Sequence, residues 1–216
     1  MRAVVILAVL VSLGAGGHAG EPAAIDAIAT AAPTCDPARA TCLELQVHVA
    51  PSDDGLVVPP AWIAAQLATA NRQFAALDVG FQLAGAKVLS EPAAHLRTRA
   101  DRSALGVHVV GRAIHVFVTG QLDNVDDDQP VYGVTWRKGE RKFVILAANA
   151  RDLVLAHELG HVFGLPHSTH SISIMNKTKR VAPPVEERRF ADEELAAMRP
   201  RIARLVRTNV LANARD

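Results

Sequence analysis

"LVLAHELGHVFGLPH", Leu153 to His167, sets three histidines and one glutamate among mostly apolar residues. Histidine and glutamate are costly to bury without partners, so their spacing calls for a physical reason. Residues four apart on a helix share a face. His157 and His161 therefore point the same way and offer two imidazole nitrogens to one ion, while Leu155, Leu159 and Val162 turn aside and pack. Glu158, rotated about 100° from His157, reaches a water at that ion without ligating it, which is the physical content of H-E-x-x-H. A catalytic zinc needs a third protein ligand and an open position. Gly164 tolerates the left-handed turn that ends a helix, Pro166 forbids simple continuation, and the returning chain brings in His167. A lone histidine is usually a structural residue. The joint pattern, from this chain's composition, arises by chance at roughly 2 in 10⁷ per starting site.

Outward from this helix the chain alternates strands and helices. Leu43–Val49 alternates apolar and polar residues and reads as a strand. Pro60 to Leu77 has helical apolar spacing, with Pro60 near the start, where its missing N–H costs nothing. Val79–Leu89 reads as a second strand and Ala113–Gly120 as a central third one. Val131–Trp136 and Lys142–Ala148 read as strands joined by a hairpin. Residues 91–108 read as polar and irregular. Asn149 is placed to cap the histidine helix, with Asp152 near its positive end. After the motif come "SISIMN", a basic linker and a last helix from about Ala191, which Pro200 is expected to kink or split. The helix between the first two strands suggests a crossover, so part of the sheet is parallel, and the hairpin adds antiparallel pairing.

The chain has 216 residues, enough for one domain with a core, and a net charge of +1. That balance gives no reason to expect nucleic acid or an anionic membrane as partner. Arg2, the apolar run Ala3–Leu13 and Gly17-His18-Ala19 resemble a secretory signal peptide cleaved near Ala19. The run is too short for a comfortable membrane span. The expected location is secreted or periplasmic, without stable membrane insertion, and the expected state is a monomer. Residues 20–34, rich in Ala, Pro and Thr, read as a disordered leader. In an exported chain, Cys35 and Cys42 are expected to close a small disulfide loop. The domain reading is residues 1–19 signal peptide, 20–42 leader with the disulfide loop, and 43–216 catalytic domain, in lobes 43–164 and 165–216.

"HELGHVFGLPH" is similar to the H-E-x-x-H-x-x-G-x-x-H signature of the metzincin zinc endopeptidases. Met175, eight residues past His167, and the serine after that histidine most resemble the matrixin branch. "FADEELAAM" resembles the start of that family's final helix, and "ANRQFAALDVGFQL" its passage from first helix to second strand. The resemblance implies an α+β, zincin-like fold: a twisted, mixed five-stranded sheet with an antiparallel edge strand, two main helices and a small C-terminal lobe with a final helix. It implies one catalytic zinc held by His157, His161 and His167, Glu158 as general base, Gly164 as structural turn and Met175 as Met-turn floor. Asn176 and Lys177 follow Met175, so neither the tyrosine ligand of some branches nor the Tyr-Pro common in matrixins is present.

The expected activity is zinc-dependent endopeptidase hydrolysis of a peptide or protein substrate, bound as an added strand along Gly133, Val134 and Thr135. Two other readings compete. One is a catalytically silent zinc-containing module that grips peptides or proteins. The other is a peptidase restricted to one partner or to its own leader. Asp123, Asp126, Asp127 and Asp128 offer oxygens that a calcium ion would accept, although a solvated acidic loop is the favoured reading, since their spacing matches no calcium-loop motif. Cys35 faintly resembles the latency cysteine of matrixins. His170 has the wrong offset from Gly164 for a ligand and is assigned to the surface.

Overall fold

The structure, a computed structural model, describes residues 21–89 and 93–216. The signal-like segment 1–19 lies outside these described residues. Five strands build the main sheet: β1 (Thr41–Val49), β2 (Val79–Val88), β3 (Ile114–Thr119), β4 (Gly133–Lys138) and β5 (Arg141–Ala147), in the order β2-β1-β3-β5-β4. β1 runs parallel to β2 and β3, and β3 parallel to β5, whereas β4 pairs antiparallel with β5 at the edge. Helix α2 (Pro60–Phe74) supplies the crossover that the parallel β1–β2 pair requires. Gly139, at φ +57°, makes the tight turn between β4 and β5. The mixed sheet with an antiparallel edge is the one expected from the sequence.

Strand alternation divides the core into two layers. Leu43, Leu45, Val47 and Val49 of β1 face the helices together with Val116, Val118, Val144 and Leu146. There they meet α2 and α4 (Val154–Val162). Phe117, Phe143 and Ile145 occupy the opposite face, beneath Leu105 and Val109. The last helix, α5 (Asp192–Arg207), adds Met198 and Ile202 to the helix-side layer.

Four sequence expectations change. The stretch read as a disordered leader holds helix α1 (Glu21–Ala31), which packs on α2 and β2 and buries Ile28. Its alanine-rich composition is a good helix former, and Ile28 gives the helix something to bury. The stretch read as irregular holds the short helix α3 (Arg99–Ala104), opened by a reciprocal cap between Thr98 and Asp101. Asn149 does not cap α4; that helix starts at Val154 with no side-chain cap. Finally, α5 runs through Pro200 without being split. Pro200 is exposed, so the carbonyl that loses its partner can turn to water.

Candidate metal centre and active-site cleft

The start of α4 is held from outside. Gln66 of α2 accepts a hydrogen bond from the Leu155 N–H at 3.1 Å and donates to the carbonyls of Ala150 and Arg151 at 3.3 and 3.0 Å. This buried glutamine gives the Leu155 N–H, a helix-terminal donor without an acceptor inside the helix, its partner. At the other end, Gly164 turns at φ +89°. A Cβ there would meet only the exposed Arg201 guanidinium, which can swing aside, so it is the left-handed turn that calls for glycine. Leu165 N–H then donates to the Gly160 carbonyl at 2.9 Å, and the chain doubles back towards His167.

The three histidines converge. One nitrogen from each of His157, His161 and His167 lies within 4.8 Å of the others, and no other such group of metal-ligating side chains occurs among the described residues. His161 Nε2 is 3.1 Å from His157 Nε2 and 3.3 Å from His167 Nε2. Two of the other ring nitrogens are committed: His157 Nδ1 to the Ile174 carbonyl and His161 Nδ1 to the Leu165 carbonyl, both at 2.7 Å. With Nδ1–H donating, each Nε2 presents a lone pair. Lone pairs aimed at one another repel unless a cation lies between them. Two nitrogens on one tetrahedral zinc, each about 2.0–2.1 Å from it, stand about 3.3–3.4 Å apart. The donor set and its spacing therefore fit zinc, and the backbone carbonyls act as the outer partners that fix ring orientation. Burial lowers the proton affinity of all three rings, His157 to about 4, which keeps them neutral as ligands.

Glu158 stands beside them, 4% exposed. Burial pushes its carboxyl up to about 7, against the opposing pull of hydrogen bonds from Thr135. Met175 lies fully buried beneath α4, its sulfur where a Cβ on Gly160 would come within 2.7 Å. Its turn is tied to α5: Ser173 Oγ donates to the Glu194 carboxylate at 2.7 Å and accepts from the Met175 N–H at 2.8 Å. Nothing in the sequence spacing singled out Gln66, Ser173 or Glu194, because each acts through a contact made only in the fold.

These groups open on a cleft of about 1190 Å³, lined by residues 131–137 and by His157, Glu158, His161 and His167. Gly133, Val134 and Thr135 lie on β4, the edge strand of the sheet. His170 is exposed and does not join the converging group. Cys35 and Cys42 are joined in a disulfide and no free cysteine remains, so Cys35 offers no thiolate to a metal. Three of the four carboxylates of the acidic loop make local contacts, and Asp128 is exposed. Asp123 pairs with His95 at 2.7 Å, Asp126 with Arg99, and Asp127 accepts from Asn124 at 2.6 Å and from the Gln129 N–H at 2.8 Å. Its carboxylates form no converging calcium cage among the described residues. No described helix is long and apolar enough to cross a membrane.

Comparison with known proteins agrees with this geometry. The family model described as Matrixin matches residues 110–198. No curated protein sequence matches the chain. Among solved structures, metalloproteinase-II from Bacteroides fragilis superposes with a TM-score of 0.53 at 14% identity, over 78% of this chain and 55% of that one. This chain thus spans about half of the Bacteroides protein. An archaemetzincin from Methanopyrus kandleri superposes with a TM-score of 0.54 at 14% identity, over 76% of this chain and 98% of that one. At such identities the superpositions speak for the fold, and the family match speaks for the segment that carries the histidines. In fold, in the family match over residues 110–198 and in the geometry of its histidines, the chain is similar to the metzincin-type zinc metallopeptidases.

Proposed function

We propose that the protein is an exported zinc-dependent endopeptidase in which Glu158 is the general base. The observation that carries this reading is a buried carboxyl group, raised to about 7, beside three convergent imidazoles in an open cleft. His157, His161 and His167 hold the metal, which when bound supplies a Lewis acid that lowers the pKa of water and stabilises charge on the carbonyl oxygen. Glu158 takes a proton from the attacking water and delivers it to the departing amine. An acid–base group with a pKa near the working pH does both steps well. Substrate adds to the sheet as a further strand along Gly133, Val134 and Thr135. β4 supports this assignment because it is the edge strand and lines the cleft. Export is read from the signal-like segment 1–19 and supported by the Cys35–Cys42 disulfide.

The test is peptide or casein hydrolysis by wild type, with and without chelator, against Glu158→Ala. Glu158→Ala is expected to keep one zinc and to lose kcat by roughly a thousandfold or more, as loss of general acid–base catalysis allows. Undiminished turnover by that variant, purified free of other proteases, removes Glu158 from the mechanism. Zinc binding without cleavage of any peptide in a broad library favours the silent binding module.

A further inference from the structure

The edge strand does more than face the cleft. Thr135 Oγ1 lies 2.8 Å from Glu158 Oε2 and 2.8 Å from the Glu158 backbone carbonyl. Both atoms that it grips belong to one residue, one on the side chain and one on the helix. Two residues earlier on the same strand face, Gly133 lies against the same carboxyl group. A Cβ on Gly133 would stand 3.1 Å from Glu158 Cγ, 3.2 Å from Oε1 and 2.6 Å from Val154 Cγ1. Gly133 is thus the space into which the Glu158 side chain fits, and Thr135 is the group that fixes its rotation. Oε2 is held by the hydroxyl. The Thr135 backbone also acts on this carboxylate, but Oε1 accepts from no side chain among the described residues and is not sealed from solvent, so it keeps access to the cleft that Glu158 lines.

We propose that Thr135 is a positioning residue for Glu158: its hydroxyl ties one carboxylate oxygen to β4 so that the other is presented to the reacting water. A carboxylate with two torsions before its terminal group has several rotamers open to it. A single charge-assisted hydrogen bond selects one. Catalysis depends on such fixing, because a misplacement of about 1 Å costs on the order of a hundredfold. This inference rests on the proposed role of Glu158. It adds that one short segment of β4 serves two ends: its backbone faces substrate and its inward side chains set the base.

Thr135→Val removes the hydroxyl at nearly constant shape, Thr135→Ala is a second removal in case valine disturbs folding, and Thr135→Ser keeps the hydroxyl. The valine variant is expected to lose kcat by roughly tenfold to a hundredfold, the worth of one hydrogen bond to a charged group. KM is expected to stay within about twofold and zinc content to be unchanged, with serine restoring kcat to within about threefold. A fall in KM-normalised rate with kcat intact, or no loss in either removal variant, overturns the proposal. Failure of the function itself is read separately, by a double-mutant cycle in thermal unfolding of the zinc-free protein. If wild type cleaves nothing, non-additive shifts for Thr135→Val and Glu158→Ala still support the tie between the two residues, and additive shifts overturn it.

Discussion

Among the described residues lie two groups of three histidines, and they have opposite designs. His157, His161 and His167 converge at the mouth of the cleft, with Nε2 lone pairs facing one another. His48, His108 and His115 lie behind the sheet. There His48 Nε2 meets His115 Nδ1 at 2.9 Å, and His115 Nε2 meets the Val110 carbonyl at 2.7 Å. These contacts form a chain: each neutral ring donates once and hands the next ring's nitrogen a proton to accept. His48 also stacks on Phe117, ring centres 4.5 Å apart. His48 and His115 are satisfied by the protein alone, whereas lone pairs that face one another in the cleft call for a cation. Number of histidines is therefore not what marks a metal site. What marks it is that the Nδ1 atoms of His157 and His161 are already committed to carbonyls, leaving Nε2 atoms aimed at one point.

The sharpest way to break this comparison is to remove one ring from each group. His161→Ala is expected to lose zinc and peptide hydrolysis together, by more than the roughly 10–100-fold that removing an outer-sphere partner costs. His48→Phe keeps the stack on Phe117 and is expected to retain one zinc and a rate within about twofold of wild type. Zinc content after dialysis and kcat/KM measure both. Loss of zinc from His48→Phe would erase the distinction.

Acid provides the second test, with a smaller effect. Burial first, and then the charges of His115, His108 and Lys87, draw His48 down to about 3, and burial likewise lowers His115, with Arg141 and Lys87 adding to the effect. The unfolded chain protonates these rings at about 6.5 while the native chain keeps them neutral. Their contribution to stability is thus complete above about pH 6.5. It is lost as pH falls from there towards about 3 for His48, at about 1.4 kcal/mol per pH unit for each proton taken up on unfolding. In chelator, so that zinc loss plays no part, His48→Phe should show a shallower fall of the urea midpoint between pH 6.5 and 4. Parallel curves for the two proteins would mean that His48 is not held neutral.

The cleft triad was legible in sequence because it is nearly local: two ligands sit one helical turn apart, and the third follows a glycine turn. The strands were legible for the same reason, since alternation at Leu43–Val49 or Ala113–Gly120 needs no knowledge of the partner strand. The His48–His115 pair was not legible, because its members are 67 residues apart and meet only when β1 and β3 align. Thr135 was read for its backbone alone. Its side-chain grip on Glu158 depends on how closely α4 crosses β4, which Gly133 permits. Helix α1 was missed because an alanine-rich composition before the first strand resembles a linker when the surface that buries Ile28 is not yet known.

Gln66 sharpens the comparison from the side of stability. His48 and His115 are set by strands whose backbone groups are paired in the sheet. The cleft histidines ride on a helix that begins without a side-chain cap of its own. Gln66, 1% exposed, takes over that duty across 89 residues of sequence, accepting from Leu155 N–H and donating to two carbonyls just before the helix. Trp62, one turn earlier on α2, also donates to the Ala150 carbonyl, at 3.2 Å, so that carbonyl keeps a partner when Gln66 is lost. The Arg151 carbonyl likewise keeps the Val154 N–H at 2.9 Å, whereas the Leu155 N–H loses its acceptor. Gln66→Ala should therefore cost about 1–3 kcal/mol, the penalty for stranding a buried polar group. For a chain of this size that is a fall in Tm of roughly 2–10 °C. Gln66→Glu keeps an acceptor for Leu155 N–H and places negative charge at the helix start, but it loses the donors, so an intermediate Tm is expected. An unchanged Tm in Gln66→Ala would show that water caps α4 as well as the glutamine does. The first ligand of the cleft triad would then owe its position to the α4–sheet packing alone.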